Sequence, residues 1–541
     1  MKEWGGRLPV ALIFPERAEH ALSTLGWQVV YRLLAGRDDL AVERFFWDPS
    51  SQRPKSVDSG RDLSLYPVIL FSLNFEGDFP IVLSMLDAAG IPVRATNRSV
   101  WPLVLAGGPV AFLNPFPLLP ALDGIFCGEA EAGLVEVLTR LAGAWIHGRD
   151  KAEAQAAIAA MDGMLIPGQS PEPVRRRIAP GAPGELRGPA YSCFVSPESQ
   201  FRDMLLLEVN RGCPYGCRFC AAGSIYKPPR QAAMSELRNI VRQCGPRKVG
   251  LVGTALTDWP DLLPFLRWLQ DEGVKFSLSS LRADGLTDEF LEFLRKTGTR
   301  SVTLALEGAS RRLRAAMNKH FSEDAFLDAV ARISRLQFNT LKLYMITGWP
   351  DEDEADWAEF EEFLARVDAA RKQGQGGRKH GVELISLSVS CLIPKAWTAL
   401  QWAAFPDEAW FRGAMKRFKT AVGRFKGMRF SGENPGQARV QAFLAKGGEE
   451  IFPFLELAAD KGFPAAMRAH ASLVDAVLGH RPGRDEVFPW ERLDVGVSRR
   501  FLYGEWIKYR HAAMTAPCPR AGCDSCRLCG IDRFLAQRQQ G

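Results

Sequence analysis

The stretch Glu208-Val-Asn-Arg-Gly-Cys213-Pro-Tyr-Gly-Cys217-Arg-Phe-Cys220 carries three cysteines at C-x3-C-x2-C spacing. It follows an apolar run at 204–209 that is typical of a buried strand. Gly212, Pro214 and Gly216 interrupt regular structure, so we expect the thiols to lie on a loop. Thiolates are the usual ligands of iron–sulfur clusters, and a cubane cluster normally takes four of them. Three thiols in one short loop leave one iron open, which is what metal chemistry on a bound molecule requires.

The loop resembles the signature of radical S-adenosylmethionine (SAM) enzymes, with Phe219 as the aromatic residue before the third cysteine. The resemblance implies that Cys213, Cys217 and Cys220 bind a [4Fe-4S] cluster and that SAM occupies the open iron. It also implies reductive cleavage of SAM to a 5′-deoxyadenosyl radical, with a reductant such as flavodoxin or ferredoxin as partner. The residues alone leave two alternatives open, a zinc knuckle and an electron-transfer cluster without a fourth ligand nearby, although the spacing is not usual for zinc.

The composition indicates a globular protein of several domains. A chain of 541 residues predicts three or four domains, and 47% hydrophobic with 24% charged residues is ordinary for a soluble protein. A net charge of +6 is too small to indicate nucleic acid by itself. No apolar run reaches the length of a membrane span, and the N-terminus lacks the features of a signal peptide. Seven of the 11 cysteines fall in two clusters, which predicts metal ligands in a cytoplasmic protein rather than disulfides.

Residues 1–147 alternate strand-like and helix-like segments. This alternation predicts a Rossmann-like domain, an open parallel sheet with helices on both faces. In such sheets ligands bind beyond the carboxyl ends of the strands. The predicted strands lead into Ser72, Gly107-Gly-Pro109 and Gly128-Glu129, where glycine allows a large ligand to approach the backbone.

These turns resemble those of the cobalamin-binding domain that precedes many radical SAM enzymes. The resemblance implies a cobalamin site with contacts from Ser72, Gly107, Gly108, Pro109, Gly128 and Glu129. The chain lacks the histidine of the D-x-H-x-x-G motif, so a bound cobalamin would have no such lower ligand. The alternative is a Rossmann-like domain that has kept the fold and binds nothing, or another ligand.

A second alternating series begins after a connecting region. Residues 148–202 are rich in proline and predict a linker, in which Arg175-Arg-Arg177 is more typical of solvated or ion-paired arginines than of an RNA contact. Six strand–helix pairs follow in residues 203–405. They are too few for a full eight-stranded barrel and predict the partial (β/α)6 barrel of the radical SAM core.

Barrel chemistry takes place at the carboxyl ends of the strands, so these ends predict the SAM-binding residues. In strand order the candidates are Gly253, Thr254, Ser279, Arg282, Glu307 and Gly348. An arginine and a glutamate at adjacent strand ends suit a zwitterionic ligand with a ribose, and Arg282 and Glu307 resemble the SAM-binding pair of cobalamin-dependent members. The alternative is an Arg282–Glu307 salt bridge that closes the barrel mouth. Lys395, after the sixth strand, faces SAM, the substrate or solvent.

Residues 406–541 predict an α-helical C-terminal domain with a cysteine-rich tail. A basic helix at 410–426 either contacts an acidic partner such as RNA or presents a charged outer face. The tail carries a strong metal pattern, formed by Cys518, Cys523, Cys526 and Cys529 at x4, x2 and x2 spacing. A second iron–sulfur cluster is the first interpretation, a structural zinc site the second, and ligation by only some of the thiols the third.

These resemblances together imply a radical SAM enzyme that methylates an unactivated carbon with cobalamin. The segments Tyr226-Lys-Pro-Pro-Arg230, Met317-Asn-Lys319 and 394–402 resemble a family of bacterial radical SAM proteins with a cobalamin-binding-like N-terminus. Two rivals are a methylthiotransferase-like modifier of RNA or protein, whose N-terminal cysteine triplet is missing here, and a non-catalytic iron–sulfur protein that binds nucleic acid or regulates. The substrate is left open.

Overall fold

The computed structural model describes residues 2–51, 53–519, 522–523 and 526–537. The first part of the chain forms one α/β unit. Its elements are β1 (Leu8–Phe14), α1 (Ala18–Ala21), α2 (Leu25–Ala35), β2 (Leu40–Phe46), β3 (Val68–Ser72), α3 (Phe79–Ala88), β4 (Leu103–Gly107), β5 (Gly124–Phe126), α4 (Leu134–Ile146), α5 (Lys151–Ala159) and β6 (Met164–Leu165).

The strands of this unit form a six-stranded sheet in the order β2-β1-β3-β4-β5-β6. All neighbours are parallel except β5 and β6, which are antiparallel. All seven residues of β1 are buried, as expected of a central strand covered by helices on both faces. The Rossmann-like sheet therefore agrees with the predicted alternation. The predicted linker at 148–202 was wrong in its first part, because α5 and β6 belong to this unit. Strand β6 has only two residues, too few for a recognisable pattern.

The second part of the chain is a longer α/β series. Its elements are β7 (Val174–Arg175), β8 (Leu205–Glu208), β9 (Asn210–Arg211), α6 (Ala222–Ile225), β10 (Arg230–Gln231), α7 (Met234–Cys244), β11 (Lys248–Val252), α8 (Leu262–Asp271), β12 (Lys275–Ser277), α9 (Asp288–Lys296), β13 (Ser301–Glu307), α10 (Arg311–Ala316), α11 (Glu323–Arg335), β14 (Thr340–Thr347), α12 (Glu354–Gln375), β15 (Leu384–Cys391), α13 (Glu408–Gly423) and β16 (Met428–Gly432).

Seven of these strands lie side by side in chain order. Strands β8, β11 and β12 form one parallel sheet, and β13 to β16 form another. A parallel bridge between Leu281 and Leu304 joins the two. Parallel strands in chain order with crossover helices have the topology of a partial barrel. The prediction of six units was one short, because β16 pairs with β15 and α13 is its crossover helix. Strand β16 is a largely exposed edge strand, so no apolar run revealed it.

The third part is mostly helical and packs on the first. Its elements are α14 (Pro435–Lys446), α15 (Phe452–Lys461), α16 (Phe463–Ala469), α17 (Ala471–Gly479), β17 (Leu493–Asp494), α18 (Arg499–Arg510) and α19 (Ile531–Ala536). The predicted all-helical region 406–541 was therefore wrong at β16 and at β17, which pairs with β7. One apolar core contains Phe71 and Phe112 of the first unit together with Phe443 and Phe454 of these helices. Within the described ranges, no helix is long and apolar enough to cross a bilayer.

Candidate active site

The three cysteines of the first motif lie on one loop after β8 and β9, and all are partly buried. Burial, followed by the Cys220 and Cys213 thiols, raises the pKa of Cys217 to about 12, while Lys319 lowers it. Burial also raises the pKa of Cys213 to about 11, with Cys220 contributing. Within this loop the Cys220 N–H donates to the Cys217 carbonyl at 3.0 Å. A bound metal cation reverses this rise in pKa by stabilising the thiolates.

A single metal ion and an iron–sulfur cluster require different arrangements of these thiols. In the part of the chain that the structure describes, no three His, Cys, Asp or Glu side chains converge closely enough to bind one metal ion. The thiolates of a cubane cluster bind different iron atoms, so they need not converge on one point. Three partly buried thiols on one loop therefore fit a [4Fe-4S] cluster better than a single metal ion.

The ends of the first and second barrel strands are tied together at this loop. The Asn210 Oδ1 atom accepts from the Thr254 backbone N–H at 2.8 Å, and Thr254 Oγ1 donates to the Gly212 carbonyl at 2.6 Å. A Cβ at Gly253 would lie 2.6 Å from Asn210 Oδ1. Gly253 and Thr254, predicted as SAM contacts, thus hold the cysteine loop in place here, and Asn210 is a positioning residue that the sequence reasoning missed.

Arg282 and Glu307 do not pair with each other, so the predicted alternative of a mutual salt bridge was wrong. Arg282 pairs with Asp284 at 2.6 Å and lies 3.8 Å above the ring of Tyr215, which belongs to the cysteine loop. Glu307 Oε1 lies 3.4 Å from Lys319 Nζ. Both charged groups are therefore beside the cysteine loop, but each has its own partner.

Glu307 occupies an unusual backbone position. Its φ is +68°, a conformation that costs energy for any residue except glycine. The register between β13 and β14 shifts at this residue, and such bulges re-aim a side chain next to functional sites. Burial raises the pKa of Glu307, and its charge in turn affects both Cys217 and Cys220. The strained residue thus presents its carboxyl group to the thiols.

The turn after β14 packs against the cysteine loop. Gly348 has φ +94°, and a Cβ there would lie 2.6 Å from the Phe411 ring. The Glu352 carboxylate accepts from the Gly348 N–H at 2.8 Å, and burial raises the pKa of Glu352 to about 7. The Phe219 ring meets Trp349 edge-on at 5.4 Å between centroids. Glu352 was missed by the sequence reasoning, although an acidic residue just after Gly348-Trp-Pro350 is a recognisable turn partner.

The inner face of the barrel is open and polar. Along β13, β14 and β15 buried residues alternate with more exposed ones, and the buried set packs toward the helices. The other face carries Thr303, Lys342, Tyr344, Ser386, Ser388 and Ser390, with Ser388 paired to Tyr344 in register. Tyr344 is 44% exposed, and Ser279, a predicted SAM contact, is also exposed at the end of β12. The sequence reasoning missed this hydroxyl-rich lumen.

The glycines at the carboxyl edge of the N-terminal sheet accommodate the protein's own backbone. Gly108 has φ +101°, and a Cβ there would lie 2.5 Å from the Leu73 carbonyl oxygen. A Cβ at Gly128 would lie 2.6 Å from the backbone N and O of Arg177. Gly107 is the last residue of β4, and Pro109 opens the short 3₁₀ turn that follows. These turns were predicted to leave room for a ligand, and instead they are filled by neighbouring chain.

The remaining predicted cobalamin contacts, Ser72 and Glu129, also bind groups of the protein itself. Ser72 is buried and its carbonyl accepts from Asn74 at 3.3 Å. Glu129 pairs with Arg230 and, at 3.0 Å, with Arg211. Although burial raises it, the Arg230 hydrogen bond and the Arg211 charge bring the pKa of Glu129 to about 2. The Glu129 carboxylate is thus bound by groups of the protein itself.

The same edge is covered by elements from the rest of the chain. Lys395, expected near SAM, the substrate or solvent, pairs instead with Glu76 after β3. The Asn114 side chain donates to the carbonyls of Ala445 and Gly447 at 3.0 and 2.8 Å. Apolar side chains fill the space between, among them Leu73, Phe112, Cys391, Trp397, Trp402 and Phe443. The residues present therefore do not form a cradle for cobalamin, and the expected cobalamin site is not supported.

The two basic segments serve as internal contacts. Arg176 is buried and donates to the Lys227 carbonyl at 2.7 Å. Two arginines of α13 and one directly after it form ion pairs, Arg412 with Glu408, Arg417 with Glu354 and Arg424 with Glu361. This favours a charged outer face over an RNA contact. The tail thiols Cys518, Cys523, Cys526 and Cys529 are all partly buried and lie next to the cysteine loop, as described below.

Two family models match the chain in consecutive ranges. The model of radical SAM proteins, N-terminal, matches residues 26–167, and the model of the radical SAM superfamily matches residues 207–364. Together these ranges span more than half of the 541 residues, and the second contains the cysteine loop. The chain belongs to the radical SAM superfamily and is a radical SAM enzyme.

Three relatives illustrate this similarity. The uncharacterized protein MJ0966 of Methanocaldococcus jannaschii is 26% identical over 478 residues, 87% of this chain and 96% of the relative. The 2-(S-pantetheinyl)-carbapenam-3-carboxylate methyltransferase of Streptantibioticus cattleyicolor is 32% identical over 153 residues, 25% of this chain and 19% of that enzyme. The solved structure of the radical SAM methyltransferase TsrM from Kitasatospora setae, with cobalamin and a [4Fe-4S] cluster bound, has a TM-score of 0.48 at 12% identity and covers 74% of this chain and 76% of its own.

Proposed function

We propose that this enzyme cleaves SAM reductively at the carboxyl end of its barrel and uses the resulting radical to remove a hydrogen atom from a polar substrate. The observation that carries the proposal is the set of three partly buried thiols, Cys213, Cys217 and Cys220, on one short loop that is flanked by Arg282 and Glu307. When bound there, a [4Fe-4S] cluster supplies the electron for SAM cleavage. A one-electron reductant such as flavodoxin or ferredoxin is the corresponding partner, and the cytoplasm the corresponding compartment.

The charged residues next to the loop supply contacts for SAM. Arg282 is the candidate for the SAM carboxylate, because a guanidinium binds carboxylates in a bidentate manner. Glu307 is the candidate for the ammonium group or the ribose hydroxyls, because its only ion-pair partner in the described residues is Lys319. Gly348 and Phe219, which pack around the turn after β14, are candidates for the adenine side.

The lumen of the barrel is the candidate substrate chamber. Lys342, Tyr344 and the serines of β15 line it, so it offers hydrogen bonds rather than an apolar surface. A polar, hydroxyl- or carbonyl-bearing substrate fits this lining. Methylation of a substrate carbon is a second candidate reaction, favoured by the 32% identity over 153 residues to an enzyme named a methyltransferase. We derive no cobalamin step, because the N-terminal edge does not fit that cofactor.

The test uses anaerobically reconstituted full-length protein with SAM and a strong reductant. We expect 5′-deoxyadenosine from the wild type and none from the triple variant Cys213→Ala/Cys217→Ala/Cys220→Ala. Cys244→Ala is the matched control, since Cys244 is exposed and isolated at the end of α7. S-adenosylhomocysteine among the products would support methyl transfer. Cluster-loaded wild-type protein that yields no 5′-deoxyadenosine would contradict the proposal.

A further inference from the structure

The four cysteines of the tail fold into a compact site of their own. The Cys526 N–H donates to the Cys523 carbonyl at 3.0 Å, and the Ser498 N–H donates to the Cys529 carbonyl at 2.8 Å. Cys523 and Cys529 pack on a small apolar cluster of Ile178, Ile531 and Phe534. Cys518, Cys526 and Cys529 line one small cavity together with Lys227. The tail thus gathers its four thiols between α18 and α19.

A buried cation points into this site. Lys227 is only 6% exposed, and its Nζ donates to Cys518 Sγ at 3.5 Å. No other hydrogen-bond partner of this ammonium group is found among the described residues. A buried charge is costly unless an opposite charge compensates it. Neutral thiols provide little compensation, whereas thiolates bound to a metal provide a net negative centre at the right place.

The tail site is in direct contact with the catalytic loop. The Cys518 N–H donates to the Pro214 carbonyl at 2.8 Å. The Asn318 side chain donates to the Gly216 carbonyl at 3.1 Å and accepts from the Thr515 N–H at 2.8 Å. A cavity of about 60 Å³ is lined by Cys217 on one side and, on the other, by Cys518, Cys526 and Cys529. One thiol of the catalytic loop and three thiols of the tail therefore line the same small cavity.

We propose that Cys518, Cys523, Cys526 and Cys529 bind a second iron–sulfur cluster, which compensates the buried Lys227 and lies against the loop of the first. Four thiolates complete the coordination of such a cluster, so this centre has no open iron and does not bind SAM. The segments around the tail site hold the catalytic loop in position through the hydrogen bonds at the Pro214 and Gly216 carbonyls. The inference stands on the tail residues and does not depend on which reaction the barrel performs.

The first experiment counts metals per chain after anaerobic reconstitution with iron and sulfide. We expect about eight irons in the wild type and about four in each of two variants. One variant removes the catalytic loop ligands (Cys213→Ser/Cys217→Ser/Cys220→Ser), and the other removes tail ligands (Cys523→Ser/Cys526→Ser). Cys193→Ser, at an exposed isolated cysteine, should leave the count unchanged. One zinc per chain that persists in the loop variant, or a loop variant without iron, overturns the proposal.

The second experiment examines Lys227 in the loop-variant background, where only the tail cluster remains. A nearby cation stabilises the more negative, reduced form of a cluster. We therefore expect Lys227→Met to shift the reduction potential of the remaining cluster to more negative values. Lys446→Met is the matched control, because Lys446 is also largely buried but donates to the Ala403 carbonyl, away from the tail. An unchanged potential in Lys227→Met overturns the placement of the cluster against this lysine.

Discussion

The N-terminal six-stranded sheet and the barrel both carry glycine-bearing turns at strand ends, and their carboxyl edges differ in what surrounds them. At the N-terminal sheet, Gly108 and Gly128 face the protein's own backbone at 2.5 and 2.6 Å. At the barrel, the cysteine loop, Glu307 and Arg282 surround an edge that opens into a polar lumen. The barrel glycines Gly253 and Gly348 also face protein atoms at 2.6 Å. A glycine at a strand end therefore marks a close approach, and only the surrounding residues tell whether the edge stays open to a ligand.

Two carboxylates show the same contrast. Glu129 at the N-terminal edge is held by two arginines and has a pKa of about 2. Glu307 at the barrel edge is paired with one lysine, and burial raises its pKa. A fully compensated carboxylate stabilises the fold, whereas one with a single partner can take a second, cationic or hydroxyl-bearing ligand.

The largest expected effect comes from breaking the Glu129 pair. Glu129→Gln leaves the buried Arg230 without its carboxylate, whereas Arg211 keeps Glu131 and Glu208. Breaking a buried pair typically costs about 3–5 kcal/mol. We expect this loss in the free energy of unfolding from urea titration. Glu136→Gln, at an exposed position on α4, should stay within about 0.5 kcal/mol of the wild type. A loss of the same small size in Glu129→Gln would show that this edge is not closed by the ion pair.

The next effect tests the glycine at the same edge. Gly108→Ala introduces a Cβ 2.5 Å from the Leu73 carbonyl at φ +101°, and we expect a loss of about 2 kcal/mol. The control Gly143→Ala lies in α4, where a Cβ meets nothing within 4 Å, and alanine should stabilise that helix by up to about 1 kcal/mol. Differential scanning calorimetry of both variants measures the contrast. Equal melting temperatures would contradict the close approach at Gly108.

The corresponding change at the barrel edge should alter binding rather than stability. Glu307→Gln keeps the side-chain shape and removes the charge, so we expect SAM to bind about tenfold more weakly, since hydrogen bonds to charged groups contribute about 1.5–3 kcal/mol. Isothermal titration of SAM into cluster-loaded protein gives the dissociation constant, and Glu292→Gln on the exposed face of α9 is the control. SAM affinity equal in both variants would remove Glu307 from the SAM site.

A pH-dependent effect on stability is expected at Asp78. This residue is buried after β3, and burial followed by the nearby Glu16 charge raises its pKa to about 8. Because the folded pKa exceeds the unfolded value, the folded protein holds the proton longer, and stability falls as pH rises from about 4 to about 8. Asp78→Asn removes this loss, so its stability should match that of the wild type near pH 4 and exceed it by a growing margin as pH rises towards 8. A pH-independent difference between the two proteins would contradict the raised pKa.

No effect at all is expected from cobalamin. Protein incubated anaerobically with hydroxocobalamin and passed through gel filtration should carry no corrinoid absorbance, because the edge of the N-terminal sheet is filled. The yield of 5′-deoxyadenosine should be the same with and without it. Corrinoid retained at about one per chain would reverse the interpretation of this edge.

Local patterns were enough to predict part of this architecture. The C-x3-C-x2-C loop follows directly from residue spacing, and strands such as β1 are recognisable because all their residues are apolar and buried. The closure of the N-terminal edge could not be predicted, because its covering residues, such as Lys395 and Ala445, come from hundreds of positions later. Lys319 was missed for a related reason, since it acts by tertiary contact with Glu307. Glu352 contacts a turn only four residues earlier and could have been recognised from the sequence.

The contacts of Asn114 with Ala445 and Gly447 also bear on biosynthesis. During translation the first unit leaves the ribosome long before the segment that covers it exists. Until about residue 450 has emerged, the aromatic edge around Phe112 and Phe116 is exposed to the cell, and it resembles the surfaces that chaperones bind. The first unit must therefore stay soluble until the residues that cover it have been synthesised. A product truncated before α14 would keep this apolar surface exposed.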